Sequence, residues 1–394
     1  MKTNFEIIIV GAGVVGSTLA FLLAKEGLNV CLVDKGSPHK VTYSDYFLGR
    51  TSSLNLTSVD LLKDIDIWEE LSKFSTPVKK MFIWDGEGDS NIEFQSKDIK
   101  ENALAYIVSN NAIVSELFKQ FSKLSNLTIL TDNTLKNIIQ DEENVQCLLS
   151  SRKNISAKLV VGADGIFSTV RNISKIPVRA WGYNHTAIVG SVIASEVNEK
   201  TAWQVFTPNG PLAFLPFDQA NGANFSLVWS VNKEKLDFPL DQKKALVAAL
   251  EERSELRLGK LNILGKTLSF PLNQLHAKKY YKERIVLVGD AAHTFHPLAG
   301  QGMNLGLSDV FSLYKVLSSS RRKGVDVGLD KVLITYEQQR KKYNLRMMAL
   351  MEVLKYGFSS ENSWIKLGRS FAFDFTRKNK EIRKLFIKAA SGVI

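Results

Sequence analysis

The chain has 394 residues, of which 45% are hydrophobic and 23% charged, and it carries a formal net charge of +11. This length exceeds the size at which single hydrophobic cores stop growing, so two domains or one domain with an inserted lobe are expected. No segment reaches the roughly 18 apolar residues of a membrane-spanning helix, and Glu6 interrupts the N-terminal apolar run, so no secretory signal is expected. Cys31 and Cys147 lie far apart, which excludes a dithiol redox motif and favours a cytoplasmic location.

The first 35 residues predict a strand, a helix and a second strand, which is the opening unit of a parallel sheet. FEIIIV and NVCLVD are apolar β-rich runs, and STLAFLLAKEG between them has helical periodicity. The turn GAGVVG fits the pattern G-x-G-x-x-G with Gly11, Gly13 and Gly16. An ordinary βα turn is the competing interpretation, and the flanking strand, the helix and Asp34 make it the weaker one.

Each glycine of this motif has a physical role in holding a dinucleotide. Gly11 allows the tight turn, Gly13 lets the backbone approach a pyrophosphate, and Gly16 permits close packing of helix on strand. The helix N-terminus offers free N–H groups to the phosphates, and Asp34 ends the second strand where it can accept hydrogen bonds from a ribose. The motif occurs once, so a reduced nicotinamide cofactor is expected to bind only transiently.

The middle of the chain predicts an inserted antiparallel lobe. KKMFIWD and NIEFQS flank the glycine-containing GEGDS as in a hairpin, and four further segments have the composition of strands, namely HTAIVGSVIASE, AWQVF, LAFLPF and FSLVWSV. Two other apolar runs, KLVVGADG and RIVLVGDAA, stop in glycine and aspartate, as buried strands do when they end at a ligand crevice.

The charge excess lies in the last fifth of the chain, where the pattern is helical. Lys315 to Ile394 contain 18 Lys and Arg against 7 Asp and Glu, whereas the first 314 residues hold 33 of each. The clusters Arg321–Lys323 and Arg340–Lys342 are candidates for contact with an anionic membrane surface or an acidic partner, and a solvated helical face is the alternative. No nucleic-acid module accompanies the charge, so nucleic acid is not an expected partner.

Motifs spread over nearly the whole chain resemble those of the single-component flavoprotein aromatic hydroxylases, and within them those of ubiquinone biosynthesis. They are GAGVVG, GR-TSSLN, YIVSNNAIVSEL, VVGADGIFSTVR, GPLAFLPF with a later VW, VLVGDAAHTFHPLAGQGMNLGL and IRKLFIKAASG. One departure stands out: Ser109, Asn110 and Asn111 replace a common Glu-Asn-Arg, so no arginine is expected to contact the cofactor there.

The resemblance implies an α/β fold with a glutathione-reductase-type, Rossmann-like FAD-binding domain, an inserted antiparallel β-sheet substrate lobe and C-terminal helices. The expected FAD-binding domain comprises residues 1–75, 101–178 and 275–345. The substrate lobe comprises 76–100 and 179–274, and the basic helical region comprises 346–394.

The resemblance also implies roles for individual residues. The glycine turn with Val14 would hold the pyrophosphate, Asp34 with Lys35 the ribose, and Asp290 the ribityl chain. Around these, Arg50 would reach the cofactor, Asp164 would act near the pyrophosphate and the nicotinamide route, and the isoalloxazine ring would be bordered by Pro297, Gly300, Gln301, Gly302, Met303 and Asn304. Candidates for the substrate pocket are Phe214, Leu215, Pro216 and His185, with core packing the alternative for the first three and a structural hydrogen bond for His185.

The function implied is that of an FAD-dependent monooxygenase that uses NADH or NADPH and O2, through a C4a-hydroperoxyflavin. Its substrate would be a polyprenylated phenol or quinol precursor of ubiquinone, met at the inner face of a membrane or in a biosynthetic complex. Two alternatives remain open, a hydroxylase of a small soluble aromatic acid and a non-catalytic flavin-binding scaffold. No motif singles out a catalytic side chain, and no metal site is expected, although His293 and His296 are three residues apart.

Overall fold

The computed structural model describes residues 3–36, 50–196, 200–219, 222–232, 234, 236, 242–294, 301–360 and 362–391. The strands within these residues are β1 Asn4–Val10, β2 Val30–Val33, β3 Thr51–Asn55, β4 Ser75–Val78, β5 Lys80–Asp85, β6 Asn91–Gln95, β7 Ala105–Ser109, β8 Leu127–Leu130, β9 Leu135–Gln140, β10 Val145–Leu149, β11 Asn154–Gly162, β12 Val178–Ala194, β13 Thr201–Thr207, β14 Gly210–Gln219, β15 Gly222–Asn232, β16 Leu261–Ala277, β17 Tyr281–Lys282, β18 Ile285–Leu287 and β19 His293–Thr294. The α-helices within them are α1 Val14–Lys25, α2 Leu56–Asp64, α3 Trp68–Ser72, α4 Asn110–Phe121, α5 Thr169–Ile173, α6 Lys243–Arg253, α7 Gln301–Arg322, α8 Asp330–Ser359, α9 Ser363–Lys378 and α10 Lys380–Ala390. Short 3-10 helices span Ser96–Ile99 and Gly289–Ala291.

The first sheet has the parallel centre that the N-terminal unit predicts. Its strands run in the order β17, β18, β11, β1, β2 and β8, and all neighbours from β18 to β8 are parallel. Ile7, Ile8 and Ile9 of β1 are fully buried, so both faces of this strand are covered, as parallel sheets require. The carboxyl ends of β1, β2, β11 and β18 therefore bring the four glycine- and aspartate-containing segments to one edge.

The second sheet is the large antiparallel lobe. Its order is β19, β16, β12, β15, β14, β13, β5 and β6, and it includes the expected hairpin of β5 and β6. One pair departs from the expectation, because β13 runs parallel to β5. The sheet packs one face against α6 around a core that includes Trp84, Phe214 and Trp229.

A small antiparallel sheet of β3, β7 and β4 lies between the two large ones. Thr51 Oγ1 of β3 lies 2.7 Å from Ser226 Oγ of β15, so the second face of the lobe adjoins the β3 region. The predicted boundary at residues 75 and 76 falls inside β4, and the domain limits remain predictions.

Three cations of the two basic C-terminal clusters have partners within the protein, whereas Lys323 and Lys342 are exposed. Arg321 donates hydrogen bonds to the carbonyl oxygens of Glu26 and Gly27 at the end of α1, where the helix dipole is negative. Arg340 is buried and pairs with Asp309, and Lys341 pairs with Glu337. These cations hold helices together, so they are not free for a membrane. Among the described residues, none of the helices has the length and hydropathy of a membrane span.

Candidate cofactor-binding site

The turn between β1 and α1 has the geometry that a phosphate-binding loop needs. Gly11 has a φ of +108°, and a Cβ there would lie 2.4 Å from the Ala163 carbonyl oxygen. A Cβ on Gly16 would lie 1.9 Å from the Gly11 oxygen, so α1 approaches the strand too closely for any side chain. At Gly13, in contrast, a Cβ would meet no described atom within 4 Å. Gly13 therefore faces open space directly at the N-terminus of α1.

The first turn of α1 is available for an anion. Gly13 is the N-cap, no side chain caps the helix, and the first turn contains no acidic residue. The first N–H groups of a helix have no intrahelical partner and carry a partial positive charge. The open space at Gly13 and these N–H groups together fit a pyrophosphate.

Asp34 closes the other side of this turn. Its Oδ2 accepts a hydrogen bond of 2.6 Å from the Ala12 N–H, and its Oδ1 accepts one of 2.7 Å from the Gly36 N–H. A carboxylate has about four acceptor positions, so the hydrogen bonds from the described residues leave capacity for two hydroxyl donors. Lys35 beside it is exposed, whereas Val14 is buried in the core.

Asp164 is placed at the edge of the first sheet, but its carboxylate serves a local structure. It accepts hydrogen bonds from the Ser168 hydroxyl and from the Thr169 and Val170 N–H groups, and so it stabilises the start of α5. Nearby, the buried Arg171 donates to the carbonyl oxygens of Ile166 and Ala291. Arg171 thus ties the loop after β11 to the turn after β18.

That second turn carries Asp290, which is accessible to solvent on one side. Desolvation by the surrounding protein raises the pKa of its carboxyl, whereas the positive charges of His293 and Arg50 oppose the rise. Arg50 is close enough to act on the Asp290 carboxyl, and its guanidinium lies 5.5 Å from the Phe270 ring centroid.

The segment that departs from the family pattern supports the β3 strand. The Asn110 N–H donates to the Arg50 carbonyl oxygen at 2.9 Å, and its Oδ1 accepts from the Ser52 hydroxyl at 2.6 Å. Ser109 is buried, whereas Asn111 is exposed. Asn110 therefore positions the strand that begins next to Arg50.

A buried polar cluster lies behind the Asp290 turn, and its centre is Asp309 of α7. Asp309 is fully buried and accepts hydrogen bonds from His293 Nε2 at 2.5 Å, Arg340 Nε at 2.7 Å, the Gly289 N–H at 3.1 Å and Asn344 Nδ2 at 3.2 Å. Burial alone would raise the pKa of Asp309, but His293 and Arg340 lower it far below its ordinary range. The cluster therefore contains a carboxylate that joins α7, α8 and the turn.

The cluster continues through Tyr280. Its hydroxyl lies 3.1 Å from His276 Nε2 and accepts a hydrogen bond of 3.2 Å from Asn344 Nδ2. Burial, together with the positive charges of His293, Lys341 and Arg179, lowers the pKa of His276 to about 4. A neutral His276 can accept a hydrogen bond from the Tyr280 hydroxyl, which satisfies both groups in the protein interior.

The first residues of α7 contact two parts of the protein, the first core and the β3 region. Gly302 is half-buried, and Met303 packs against the first core. The buried Asn304 side chain accepts from the Asn55 N–H and the Ser58 hydroxyl and donates to the Ser53 carbonyl oxygen. It therefore positions the helix against β3 and α2. Gln301 begins α7, while Pro297, Gly300 and His296 lie outside the described residues.

The four residues predicted for a substrate pocket divide between the two faces of the large sheet. Phe214 is fully buried in the core against α6, and Pro216 alternates with it on the same side. Leu215 faces the other way and packs near Val78 and Ile107 of the small sheet. His185 is half-buried, and its Nδ1 lies 3.4 Å from Ser230 Oγ on that second face.

The two cysteines are both buried, and burial raises the pKa of each thiol to about 12. Within the described part of the chain, no three His, Cys, Asp or Glu side chains cluster as metal ligands would.

Sequence reasoning missed Arg171, Asp309 and Arg340 as parts of this site. Asp309 follows the conspicuous glycines of GQGMNLGLSD, and its arginine partner is 31 residues away. A buried aspartate inside an apolar helical pattern was the one available signal, because such a residue requires a partner.

The described residues fit the FAD that the motifs imply. An uncapped helix N-terminus faces open space at Gly13, and Asp34 retains acceptor capacity. A desolvated carboxyl, Asp290, lies at the carboxyl edge of the same sheet. In an open parallel sheet, this edge is where ligands bind.

Comparison with known proteins agrees with this geometry. Residues 4–350 match a family model described as FAD binding domain. Ubiquinone hydroxylase UbiL of Rhodospirillum rubrum is 33% identical, with 99% of this chain and 90% of the relative covered. The 3-demethoxyubiquinol 3-hydroxylase of Escherichia coli is 32% identical, with 98% of each covered.

Among solved structures, p-nitrophenol 4-monooxygenase PnpA from Pseudomonas putida has the same fold. Its TM-score is 0.81 at 19% identity, with 98% of this chain and 97% of that chain covered. The matches over nearly the whole length show that the chain belongs to the family of FAD-binding proteins that includes the ubiquinone-biosynthesis hydroxylases.

Proposed function

We propose that this protein is an FAD-dependent monooxygenase that hydroxylates the aromatic ring of a polyprenylated phenol or quinol precursor in ubiquinone biosynthesis, with NADH or NADPH and O2. The observation that carries the proposal is the similarity over nearly the full length to ubiquinone hydroxylases, at about a third identity. When bound, FAD would supply the redox chemistry, namely hydride acceptance from the nicotinamide and reactivity toward O2.

The described residues support this chemistry by binding and positioning. The N–H groups of the Gly11–Gly16 turn and of α1 would hold the pyrophosphate, with Val14 in the core beneath them and Asp34 and Lys35 at the ribose. Asp290 would bind the ribityl chain, Arg50 would reach the cofactor, and Asp164 would act near the pyrophosphate and the nicotinamide route. The N-terminal turn of α7, from Gln301 to Asn304, would present its positive dipole to the ring, where reduced flavin gathers negative charge.

The substrate ring would lie between the flavin region and the second face of the large sheet. Ala213, Leu215 and Val228 face this side, as their cross-strand pairing with one another and with Ser226 requires. An apolar wall of this kind excludes water, which protects a reactive oxygen donor from unproductive decay. His185 and Ser230 add polar groups that can orient a phenol hydroxyl.

The test uses the purified FAD-loaded protein with a short-chain prenylated phenol. We expect substrate-stimulated oxidation of NADH or NADPH and a product heavier by one oxygen atom, observed by mass spectrometry. A benzoate that stimulates turnover while every prenylated phenol fails would favour the soluble-acid alternative. FAD binding without O2 consumption in the presence of any quinol precursor would favour the scaffold.

A further inference from the structure

The helix α9 exposes its apolar side to solvent. Trp364, Leu367, Phe371 and Phe375 follow one another at intervals of three and four residues, so they share one face, here called the outer face of α9. Each of these side chains is between 50% and 80% exposed. Phe371 and Phe375 stack with ring centroids 6.1 Å apart.

The opposite side of α9, which contacts the protein, holds a charge. Arg369 is buried, and its guanidinium forms an ion pair of 2.7 Å with Asp85 and lies 3.5 Å from Glu87. It also donates to the Phe358 carbonyl oxygen at 3.1 Å. Since these contacts fix the rotation of the helix about its axis, the outward direction of the aromatic residues is specified by the sequence.

The next helix repeats this arrangement. In α10, Leu385 and Phe386 are exposed, whereas Arg383 turns toward Asp98 with a separation of 3.9 Å between charged atoms. Two consecutive helices therefore expose large apolar residues, while each also buries an apolar residue on its protein side. A water-facing helix of a globular protein normally exposes charged and polar residues instead.

The patch is large and lies in a cationic segment. The four side chains of the outer face of α9 expose roughly 500 Å² of largely apolar surface, which is near the upper end for a monomeric protein. Residues 363–391 contain eight Lys and Arg against two Asp and Glu. Of these cations, Lys378 and Lys380 are exposed where the two helices meet, and Lys388 is exposed near the end of α10.

We infer that the outer face of α9, continued by α10, is a docking surface for an anionic lipid bilayer, into whose interface Trp364, Leu367, Phe371 and Phe375 insert. Exposed aromatic and aliphatic residues on one helix face, combined with a local excess of Lys and Arg, are the features of helices that lie in the plane of a membrane interface. The inference rests on the proposed function, because a polyprenyl tail resides in the bilayer.

Charge complementarity favours lipid over a second copy of the chain as the occupant. A symmetric contact would place two segments of excess positive charge face to face, which is unfavourable. An anionic bilayer offers both an apolar interior and negative headgroups to the same surface.

The experiment is flotation of the full-length FAD-loaded protein with vesicles of phosphatidylglycerol and phosphatidylethanolamine, compared with phosphatidylcholine alone. The variant is L367S/F371S, and the control is I139S, because Ile139 on β9 is 62% exposed, as is Leu367. We expect binding to the anionic vesicles to fall at least tenfold in L367S/F371S and to stay at the wild-type level in I139S. Unchanged thermal unfolding would show that the variant is folded.

Equal flotation of L367S/F371S and wild type would overturn the inference, as would the absence of wild-type binding to anionic vesicles. Dimers that the double variant abolishes, without vesicle binding by the wild type, would identify a second copy as the occupant instead. The proposed function is tested separately: turnover of a short-chain phenol in detergent should be the same in the variant and wild type. Its absence in both, with flotation intact, would refute the function and leave the docking surface.

Discussion

The substitution Asp309→Asn should lower the free energy of unfolding and weaken FAD binding, because it removes the negative charge at the centre of the buried cluster. His293 and Arg340 both direct hydrogen-bond donors at the carboxylate, and Arg340 has little access to water. The asparagine has a similar shape, so the change isolates charge and acceptor number from packing.

The size of the effect follows from the contacts that are lost. Asp309 accepts four hydrogen bonds on two oxygens, whereas asparagine offers one oxygen and directs an NH2 group at the remaining donors. Removal of one partner from a buried ion pair typically costs about 3–5 kcal/mol. We expect the free energy of unfolding to fall by about 3 kcal/mol, the lower end of this range, because the amide oxygen retains one acceptor.

The assay is urea unfolding of the apoprotein, followed by titration with FAD. Since the Gly289 N–H also loses an acceptor, the turn that carries Asp290 should bind FAD more weakly, on the order of tenfold. The matched control is Asp66→Asn, which removes an exposed ion pair with Lys25 and should leave the unfolding midpoint unchanged.

The pH dependence provides an internal check on the charge. The folded pKa of Asp309 is depressed, so its stabilisation is present above about pH 4, the unfolded value, and is lost as the pH falls further. The difference between wild type and Asp309→Asn should therefore narrow in acid. A variant with wild-type stability and FAD affinity at pH 7 would refute the reasoning.

Three further predictions address other parts of the site. Gly13→Ala should leave the unfolding midpoint of the apoprotein unchanged and abolish FAD retention. Gly16→Ala should destabilise the apoprotein itself, because its Cβ would lie 1.9 Å from a carbonyl oxygen. Equal unfolding midpoints for the two variants would contradict this expectation. The pKa of His276 is lowered to about 4, so between about pH 6.5 and pH 4 the folded state binds fewer protons than the unfolded state. The free energy of unfolding therefore falls as the pH falls through this window, and the wild type should lose up to about 2 kcal/mol between pH 7 and pH 5. Urea titrations of His276→Asn should not show this loss. Cys31 and Cys147 should resist iodoacetamide at pH 8 until the protein unfolds, and rapid labelling of the native protein would show that their thiols are not held protonated by burial.

Local periodicity was sufficient to predict β1, β2, β11 and β18 of the first sheet and most strands of the lobe. The first βαβ unit places a continuous apolar strand before the glycine turn, so the local pattern and the final fold agree. The hairpin of β5 and β6 could be predicted for the same reason. The parallel pairing of β13 with β5 could not be predicted, because the local sequences of two strands separated by 115 residues do not indicate their relative direction.

Strand β16 shows where pattern reasoning fails. Its 17 residues include Gly265 and Pro271, and much of its middle is exposed, so neither a strict alternation nor an apolar run identifies it. Pairing with β12 over most of its length forms the strand. Tertiary contacts thus determine this element, and local sequence contributes little to it.

The polar cluster around Asp309 was hidden for a related reason. Residue types and spacing predicted the glycine turn, Asp34 and the Asp290 turn, because a phosphate-binding loop is local. The arginine that neutralises Asp309 comes from a different helix. A sequence shows which residues are charged, but it does not show which of them pair in the fold. Asn304, expected near the flavin through its backbone, also has a side-chain role that only the fold shows.

Some C-terminal cations pair with groups inside the protein, and this pairing affects how strongly membrane binding should depend on salt concentration. Arg321, Arg340 and Arg369 are committed to partners inside the protein, so these three charges are not available to lipid headgroups. The exposed apolar residues of α9 and α10 should contribute the part of the binding that does not depend on charge. Salt screens exposed charges over about 8–10 Å and leaves apolar insertion intact. Binding to anionic vesicles should accordingly weaken only modestly in salt but fail when Leu367 and Phe371 become serine.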